Sequence, residues 1–205
     1  MSSTETTRRT QEQRREETRG KLLDATITSL VEVGYSATTT RRVAELAGVS
    51  VGAQSHHFPH RVDLLAAAVE HLAERRVREL REVSAALPDD LGERAAVCLD
   101  LLWADFSSPL FSAFVKLWVA AADDPELFAR LAPIEVMMVR SIRELSVEIV
   151  GAPARSSDFQ ARLSVVLSTI RGLALTQAFE PTGRRRSRDP WPVHRAALER
   201  LLLVE

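Results

Sequence analysis

The stretch from Thr38 to Phe58, TTTRRVAELAGVSVGAQSHHF, constrains the fold of this chain more than any other. Its first half places small and branched apolar residues at helical spacing, with charged residues between them. Gly48 follows, and glycine readily adopts the left-handed conformation that ends a helix. Ser50 then suits the N-cap of a second short helix that runs to Phe58. The pattern predicts two short helices joined by a tight glycine turn, which is a helix-turn-helix.

The second helix of this motif has the composition of a helix that approaches DNA. Gly52 and Ala53 keep its first turn narrow, so that its backbone can lie close to a groove. Gln54, His56 and His57 add hydrogen-bonding side chains of the kind that read base edges in the major groove. The sequence therefore predicts double-stranded DNA as a partner.

Residues on both sides of the motif extend the pattern. The chain reads Gly-Tyr-x-x-Thr at 34–38, Val-Ala-x-x-Ala-Gly-Val-Ser-x-Gly at 43–52, and His-Phe-Pro at 57–59 before Leu-Leu at 64–65. This order resembles the DNA-binding domain of the TetR family of transcriptional regulators. The resemblance covers about residues 21–65. Beyond them, only the length and the helical layout of the chain are similar to the family.

The resemblance implies an all-α fold, with an N-terminal three-helix helix-turn-helix DNA-binding domain followed by a helical ligand-binding and dimerisation domain. We expect the first domain at residues 18–63, with a first helix from about Thr18 to Val33, and the second domain at residues 64–205. Residues 1–17 are polar and lack periodic apolar positions, so they are predicted to be a flexible arm. Their alternating arginines and glutamates fit either an arm that touches phosphate or a solvated tail.

The resemblance also implies roles within the helix-turn-helix. Thr38 is the expected N-cap of the second helix. Phosphate contacts are expected near the start of that helix and at the end of the third, with base contacts between them. The residues expected at the DNA interface are Thr38, Thr39, Thr40, Arg41, Val51, Gly52, Ala53, Gln54, Ser55, His56, His57 and Arg61.

Three of these positions depart from the family pattern. The family usually has an apolar residue where this chain has Gln54, and often has a phosphate-binding tyrosine where it has Ser55 or His56. Gln54 either pairs with an adenine or turns inward onto backbone groups.

Composition and charge restrict the other classes of protein. The formal net charge is −1, so DNA binding depends on locally placed charge rather than on global attraction. The single cysteine, Cys98, excludes an internal disulfide and fits a reducing cytoplasm. No apolar run approaches the roughly 18 residues of a membrane span. We therefore expect a cytoplasmic protein that does not enter membranes.

Residue spacing does not favour catalysis or metal binding. The chain has no glycine-rich phosphate loop, no metal-spaced set of ligands and no nucleophile beside a base, so we expect no enzyme activity and no cofactor. His56, His57 and His60 lie close in sequence. Adjacent histidines on a helix point in different directions, and only Asp63 is near enough to complete a site, so we predict no metal.

Aromatic residues concentrate in two adjacent helices, predicted at about 91–106 and 109–122. Such a concentration either lines an apolar cavity, where methionines give adaptable walls, or fills a core. The family implies a cavity for a small apolar or amphipathic effector. The expected pocket residues are Trp103, Phe106, Phe111, Phe114, Trp118, Met137, Met138 and Gln177. Asp105, Arg140 and Arg143 are further polar candidates for orienting a ligand.

Two last helices are predicted at about 157–179 and 192–204. In the family this pair meets its symmetry mate in a four-helix interface, which implies a homodimer. The expected interface residues are Leu163, Leu167, Ile170, Ala174, Leu198 and Leu201. The arginine-rich loop between the two helices, at 184–188, either binds phosphate or an acidic partner, or is a solvated linker.

The leading hypothesis is a homodimeric repressor that binds a palindromic operator and is released when a small, mainly apolar ligand enters the second domain. An enzyme is one competing hypothesis. A ligand carrier or helical adaptor is another, and it fits the C-terminal domain equally well. This second hypothesis does not explain the helix-turn-helix pattern at residues 38–58.

Overall fold

Nine α-helices and one short 3-10 helix make up the computed structural model, which describes residues 10–84, 86–178 and 191–203. No residue in these ranges lies in a β-strand, so the predicted all-α fold is confirmed. The helices are α1 (Gln11–Ala37), α2 (Thr40–Ala47), α3 (Val51–His57), α4 (Arg61–Ser84), α5 (Leu91–Phe106), α6 (Pro109–Ala121), α7 (Pro125–Val150), α8 (Ser157–Ala178) and α9 (Trp191–Leu203). The 3-10 helix, Ala152–Arg155, lies between α7 and α8.

Helix α1 begins earlier than the sequence predicted. The flexible arm is wrong for residues 11–17, because these residues are helical, and residues 1–9 lie outside the described ranges. A capping box starts the helix: the Thr10 hydroxyl accepts from the Gln13 backbone N–H at 3.2 Å, and the Gln13 side chain accepts from the Thr10 N–H at 2.9 Å. Such a polar turn is stabilised by its cap and by side-chain pairs. It has no periodic apolar residues, so a prediction from apolar periodicity misses it.

The first three helices and the start of α4 share one core. It is formed by Leu22, Leu23, Ala25, Val43, Phe58, Leu64 and Ala68. Further along the same helix, Val69 and Ala73 belong to a different core, formed with α6 and α7. Helix α4 therefore belongs to both the N-terminal and the C-terminal halves, and the predicted boundary at residues 63 and 64 falls inside it.

A third core joins α5, α8 and α9. Trp103 on α5 stacks on Trp191 on α9, with ring centroids 4.9 Å apart and planes 6° from parallel. The Trp191 indole N–H donates to Asp100 at 2.7 Å. Leu99, Val166 and Ile170 are fully buried around the pair. Full burial of one such aliphatic side chain contributes about 1.5–3 kcal/mol, so this core holds α8 firmly to its own chain.

Helix α7 runs without a break through Pro133, a residue type that commonly kinks or interrupts a helix. A proline inside a helix lacks the N–H that would bond to the preceding turn. The flanking side chains Leu131 and Ile134 are buried in the core shared with α4 and α6, and this packing keeps the chain helical.

No single described helix is long and apolar enough to cross a membrane. Helices α5 and α6 meet the length and composition criteria only when taken together, and a bend of 62° separates them.

Candidate nucleic-acid interface and ligand cavity

The predicted order of helix, glycine turn and capped helix is confirmed. Thr39 caps α2, since its hydroxyl accepts from the Arg42 backbone N–H at 3.2 Å. Gly48 ends α2 in the left-handed conformation with φ of +65°, and the next N–H, of Val49, returns to the Ala44 carbonyl at 3.0 Å. Ser50 caps α3 by accepting from the Ala53 N–H at 3.1 Å. The turn thus fixes the orientation of α3 relative to α2.

Thr38 does not cap α2, so this prediction is wrong, and Thr38 does not present its side chain to solvent as a residue of the DNA interface would. Its side chain is buried, with 1% exposed. The hydroxyl donates to the Gly34 carbonyl at 2.8 Å and lies 3.0 Å from the Ser29 hydroxyl. Gly34 has a φ of +78°, which turns the chain here, and Thr38 closes that turn.

Arg61 holds the same turn instead of facing phosphate as predicted. Its Nε donates to the Thr38 carbonyl at 2.7 Å, and its Nη2 donates to the Tyr35 carbonyl. The guanidinium also lies over the Tyr35 ring, 4.2 Å from the ring centroid. Two of the five N–H donors of its guanidinium are bonded to backbone carbonyls of this turn, so Arg61 helps to position the start of α2.

Gln54 faces the core of the domain, so its assignment to the DNA interface is wrong. The side chain is 1% exposed, and its amide donates to the Phe58 carbonyl at 2.9 Å. That carbonyl lies beyond the last residue of α3, and the following Pro59 has no N–H with which to continue the helix. Of the two alternatives left open by the sequence, the inward orientation is the correct one.

A solvent-exposed face of α3 remains opposite Gln54. Val51, Gly52, Ser55 and His56 are all exposed, and their spacing places them on adjoining rows of the helix. Val51 is an apolar side chain that is 50% exposed. This face of α3 therefore exposes two small residues, Gly52 and Ser55, one apolar side chain, Val51, and one hydrogen-bonding ring, His56.

The start of α2 lies next to this face in sequence and is also accessible. Thr39 and Arg41 are exposed, while Thr40 on α2 and Ala53 on α3 are half-buried. Arg41 pairs with Glu45 at 3.1 Å, and both side chains are largely exposed. An exposed pair of this kind contributes little to stability, so a phosphate can replace the carboxylate at small cost.

Helix α1 contributes basic residues to this region. The sequence had left open whether the N-terminal arginines touch phosphate or belong to a solvated tail. Burial lowers the pKa of His57 below its ordinary value, and the positive charges of Arg15, His56 and Arg19 lower it further, while the negative charge of Glu16 acts in the opposite direction. The Arg19 guanidinium lies 5.9 Å from the Phe58 ring centroid. The first turns of α1 are therefore close to the end of α3. The capping pattern of Thr10 and Gln13 could have indicated this helix.

The histidines of α3 and its neighbours do not assemble a metal site. The rings of His56 and His57 are perpendicular, with centroids 6.0 Å apart. Nowhere in residues 10–84, 86–178 and 191–203 do three His, Cys, Asp or Glu side chains form a possible metal-binding group.

A cavity of about 510 Å³, here called the upper cavity, lies between α4, α5, α6, α7 and α8. Five predicted pocket residues line it, namely Phe106, Phe111, Phe114, Trp118 and Met138. Trp103 and Met137 do not. Trp103 is stacked on Trp191 in the neighbouring core, and Met137 packs against the core of α4, α6 and α7. The side chain of Gln177 lies outside the described residues.

Two ion pairs border the upper cavity. Arg76 lies 2.9 Å from Asp105, and Arg171 lies 3.0 Å from Glu135. Burial raises the pKa of Asp105 above its usual value, while the charge of Arg76 opposes the shift and Glu79 adds to it.

The other predicted polar candidates lie away from the upper cavity. Arg140 pairs with Glu144 at 2.8 Å on the surface, and Arg143 is exposed. Neither lines the cavity.

A second cavity of about 460 Å³, here called the lower cavity, was not foreseen from the sequence. It lies between the C-terminal part of α4 and helices α5, α7, α8 and α9, and Cys98 is part of its wall. Burial raises the pKa of the Cys98 thiol, with a smaller opposing effect of Arg94. Its lining residues are mostly aliphatic and are dispersed over the chain, so no local cluster in the sequence indicates it.

The predicted dimer interface is wrong for its buried members. Leu163, Ile170, Ala174 and Leu198 are buried within the single chain, and Leu167 and Leu201 pack partly against the same cores. The predicted residues form the most apolar row of each helix, and this is the row that each helix turns toward its own chain.

The outward rows of α8 and α9 are small and uncharged over much of their length. Exposed residues on α8 include Ala161, Ser164, Val165, Ser168, Gly172 and Thr176. Those on α9 include Val193, Ala196 and Ala197. Val165 is 53% exposed and Val193 is 73% exposed, although both are apolar.

Comparison with known proteins relates both halves of the chain to one group of proteins. A model of the family "Bacterial regulatory proteins, tetR family" matches residues 22–68, which cover α2, α3, most of α1 and the start of α4. The chain is 33% identical to the HTH-type transcriptional regulator CymR of Pseudomonas putida over 180 residues, which are 87% of this chain and 88% of CymR.

Solved structures share the complete fold. The multidrug binding protein EbrR, solved with imidazole, superposes with a TM-score of 0.62 at 23% identity, covering 91% of this chain and 96% of EbrR. The transcriptional regulator FadR from Bacillus subtilis, solved with stearoyl-CoA, gives a TM-score of 0.66 at 15% identity, covering 90% of this chain and 97% of FadR.

Proposed function

The chain belongs to the TetR family of DNA-binding transcriptional regulators, which are not enzymes, and from this we propose that it is a homodimeric repressor. In this proposal the dimer binds a palindromic operator in the cytoplasm and leaves it when a small, mainly apolar or amphipathic effector enters the upper cavity. The exposed face of α3, opposite the buried Gln54, is the observation that carries the proposal.

We assign base recognition to the exposed face of α3. Gly52 and Ser55 are small enough to let the helix enter the major groove, and His56 offers a ring nitrogen to a base edge. The exposed Val51 suits a thymine methyl group. Ala53 is proposed to lie with these base-facing residues. Thr39, Thr40 and Arg41 at the start of α2 and His57 at the end of α3 are proposed to lie along the phosphates.

We assign dimerisation to the outward rows of α8 and α9. Small side chains let helices from two subunits approach closely, and the absence of charge from most of these described rows removes an electrostatic cost. A two-fold axis through this surface gives two copies of α3, one for each half of a palindrome. Half-sites one helical turn apart, or a multiple of it, follow from that symmetry.

We assign effector binding to the upper cavity. Its volume of about 510 Å³ is in the range of known ligand sites, and aromatic and aliphatic side chains form most of its wall. Two relatives in fold support a ligand role: EbrR is described as a multidrug binding protein, and FadR from Bacillus subtilis was solved with stearoyl-CoA.

Helix α4 connects the two activities. It contributes Val69 and Arg76 to the wall of the upper cavity, and Leu64 to the core beneath α3. Two contacts join the N-terminal domain to α7 as well: Arg130 lies 2.9 Å from Asp63, and the Tyr35 hydroxyl lies 3.3 Å from Asp124. A ligand that binds better when α4 is displaced therefore favours a dimer whose two N-terminal domains are wrongly spaced for DNA.

The test is selection of bound duplexes from a random pool by the purified full-length protein, followed by titration at several salt concentrations. We expect an inverted repeat to be enriched, with binding that weakens steeply as salt rises. The doubly substituted Arg41→Ala, His56→Ala protein, with an unchanged thermal transition, is expected to lose this binding. Enrichment of no sequence, or equal enrichment by the variant, would contradict the proposal.

A further inference from the structure

The upper and lower cavities adjoin one another inside the protein. Leu80 on α4, Leu102 on α5 and Ile142 on α7 line both of them. These three shared residues are aliphatic, and their side chains can rotate without breaking a hydrogen bond. Each cavity alone, at about 510 and 460 Å³, is large enough for a ligand.

The upper cavity has unmatched hydrogen-bond donors on its wall. The Trp118 indole N–H and the Nε–H groups of Arg76 and Arg171 are buried and make no hydrogen bond among the described residues, although both guanidinium groups are ion-paired. All three groups are N–H donors. Every fully buried side-chain oxygen described on this wall has a partner, because the one buried oxygen without a partner, on Gln160, lies elsewhere. The wall therefore calls for an acceptor, such as an oxygen atom.

The lower cavity differs in this respect. Its wall is mainly aliphatic, with Leu99, Leu145 and Val166 buried at its side. Arg94 at its edge donates to the carbonyls of Pro88 and Ile149. The one buried side-chain donor described on this wall without a hydrogen bond is the Nε–H of Arg162, and the Arg162 guanidinium is paired with Asp158 at 3.3 Å. Because it has fewer such donors and a mainly aliphatic wall, the lower cavity favours hydrocarbon.

We propose that the effector is an elongated amphipath whose oxygen-bearing end lies in the upper cavity and whose hydrocarbon chain passes Leu80, Leu102 and Ile142 into the lower cavity. This inference rests on the proposed function, because it names the class of effector for the same protein. It also predicts which ligands act on DNA. Leu80 lies on α4, so a chain that threads past it bears directly on the helix that carries the N-terminal domain.

Chain length provides the first test. Binding of octanoate, decanoate, laurate, myristate and palmitate to the full-length protein is measured by calorimetry, below the concentrations at which they form micelles. Affinity is expected to increase about fourfold per added methylene (~0.8 kcal/mol) up to the longest chains, because each added group enters apolar surroundings. A plateau at octanoate or decanoate would overturn the inference, since the upper cavity alone would then hold the ligand.

A blocked lower cavity provides the matched control. Ala95 on α5 lines the lower cavity, whereas Ala104 on the same helix is exposed and lines neither cavity. Ala95→Phe is expected to weaken palmitate at least tenfold and to leave octanoate unchanged, while Ala104→Phe changes neither. Ala95→Leu, a smaller change, is expected to act in the same direction and serves if the phenylalanine variant does not fold. Equal binding of palmitate by all three variants would overturn the inference.

The end group is tested with laurate, methyl laurate and dodecyltrimethylammonium. The first two carry oxygen acceptors and the third carries none, so we expect the acid and the ester to bind and the ammonium compound to bind at least tenfold more weakly. Trp118→Phe is expected to weaken the acid and the ester but not the ammonium compound. Equal binding of all three compounds would contradict the acceptor requirement. Palmitate that binds without releasing DNA would instead contradict the proposed function and leave the two-cavity site standing.

Discussion

Single side chains divide the helix-turn-helix into a face that packs on the protein and a face that is open to solvent. Thr38, Gln54 and Arg61 are polar residues whose donors are used by backbone carbonyls. Val51 and His56 are exposed. Polarity alone therefore does not identify the DNA-contacting residues of this motif, because buried carbonyls at helix ends also need polar partners.

Gln54 gives a prediction that separates these two kinds of residue. Gln54→Met keeps the shape of the side chain but removes the hydrogen bond to the Phe58 carbonyl. We expect the free energy of unfolding in urea to fall by about 1–3 kcal/mol, because a buried carbonyl loses its partner. The selected operator sequence should be unchanged. Ser55→Ala is the control, expected to leave stability nearly constant. An altered base preference in Gln54→Met would show that Gln54 reads DNA.

His57 predicts a pH dependence. Burial and nearby arginines lower its pKa below 6.5, so the ring is neutral near pH 7 and gains its proton only below the ordinary range. Protonation places a positive charge at a proposed phosphate contact, so operator affinity is expected to rise as pH falls from about 8 toward 5.5. The stability of the folded protein without DNA changes in the opposite direction. The stabilising contribution of neutral His57 is complete above its ordinary pKa, and it is lost as the pH falls through the lowered pKa.

The control for this dependence is His57→Gln, which keeps a hydrogen-bonding side chain but does not titrate. Fluorescence anisotropy with a labelled operator should give a smaller increase in affinity at low pH for this variant than for the unsubstituted protein. Identical pH profiles would assign the effect to other residues.

At the scale of elements, the two faces of α8 have different partners. The row that contains Leu163, Ile170 and Ala174 is buried against α5 and α9 or against the end of α7. The opposite row, with Val165 and Gly172, is exposed in the single chain. An apolar residue on an outward row is the more useful indication of an interface, because the inward row is needed for folding.

This difference predicts the oligomeric state of a variant. Val165→Arg should give a folded monomer, because a charge placed in the proposed apolar interface loses its hydration without gaining a partner. Val136→Arg is the matched control, since Val136 is a 69% exposed valine on α7. Light scattering and circular dichroism measure mass and fold. A dimer that persists in Val165→Arg would exclude this surface as the interface.

At the scale of the whole molecule, the N-terminal domain is attached to the ligand-binding half by α4 and by a few polar contacts. Tyr35 has two roles at this junction: its ring lies beside the Arg61 guanidinium, and its hydroxyl contacts Asp124 at the start of α7. The turn that Tyr35 begins leads directly to Thr39 and α2. A movement of α7 can therefore reach the proposed phosphate contacts through a short chain of bonded groups.

Tyr35→Phe tests this connection without any ligand. It removes only the hydroxyl and keeps the ring beside Arg61. Hydrogen exchange should show the amides of α2 and α3 less protected, by about 0.5–1.5 kcal/mol for one lost hydrogen bond, with α8 and α9 unchanged. Thr28→Ala on the exposed side of α1 is the control. A uniform loss of protection over the whole chain would indicate general destabilisation rather than a specific connection.

The sequence by itself determined the elements that depend on neighbours along the chain. The caps at Thr39 and Ser50, the left-handed Gly48 and the bounds of α5 are set by local hydrogen bonding and helical periodicity. Thr38 was mistaken for the cap because two adjacent threonines satisfy the same local rule. The first turn of α1 was missed because its stability comes from a polar capping box rather than from an apolar row.

Only the tertiary structure decided what the longer-range packing controls. Whether an apolar row faces its own chain or a partner depends on which helices lie beside it. The sequence does not show these neighbours, so the interface on α8 was predicted on the row that faces its own chain. Trp103 became part of a core because Trp191, distant in sequence, stacks on it, whereas Phe114 and Trp118 contact each other edge to face and line the upper cavity. The lower cavity has the same origin, because it is lined by residues of several helices that the sequence does not place together. The inward position of Gln54 instead involves a local hydrogen bond, to the Phe58 carbonyl four residues along the chain.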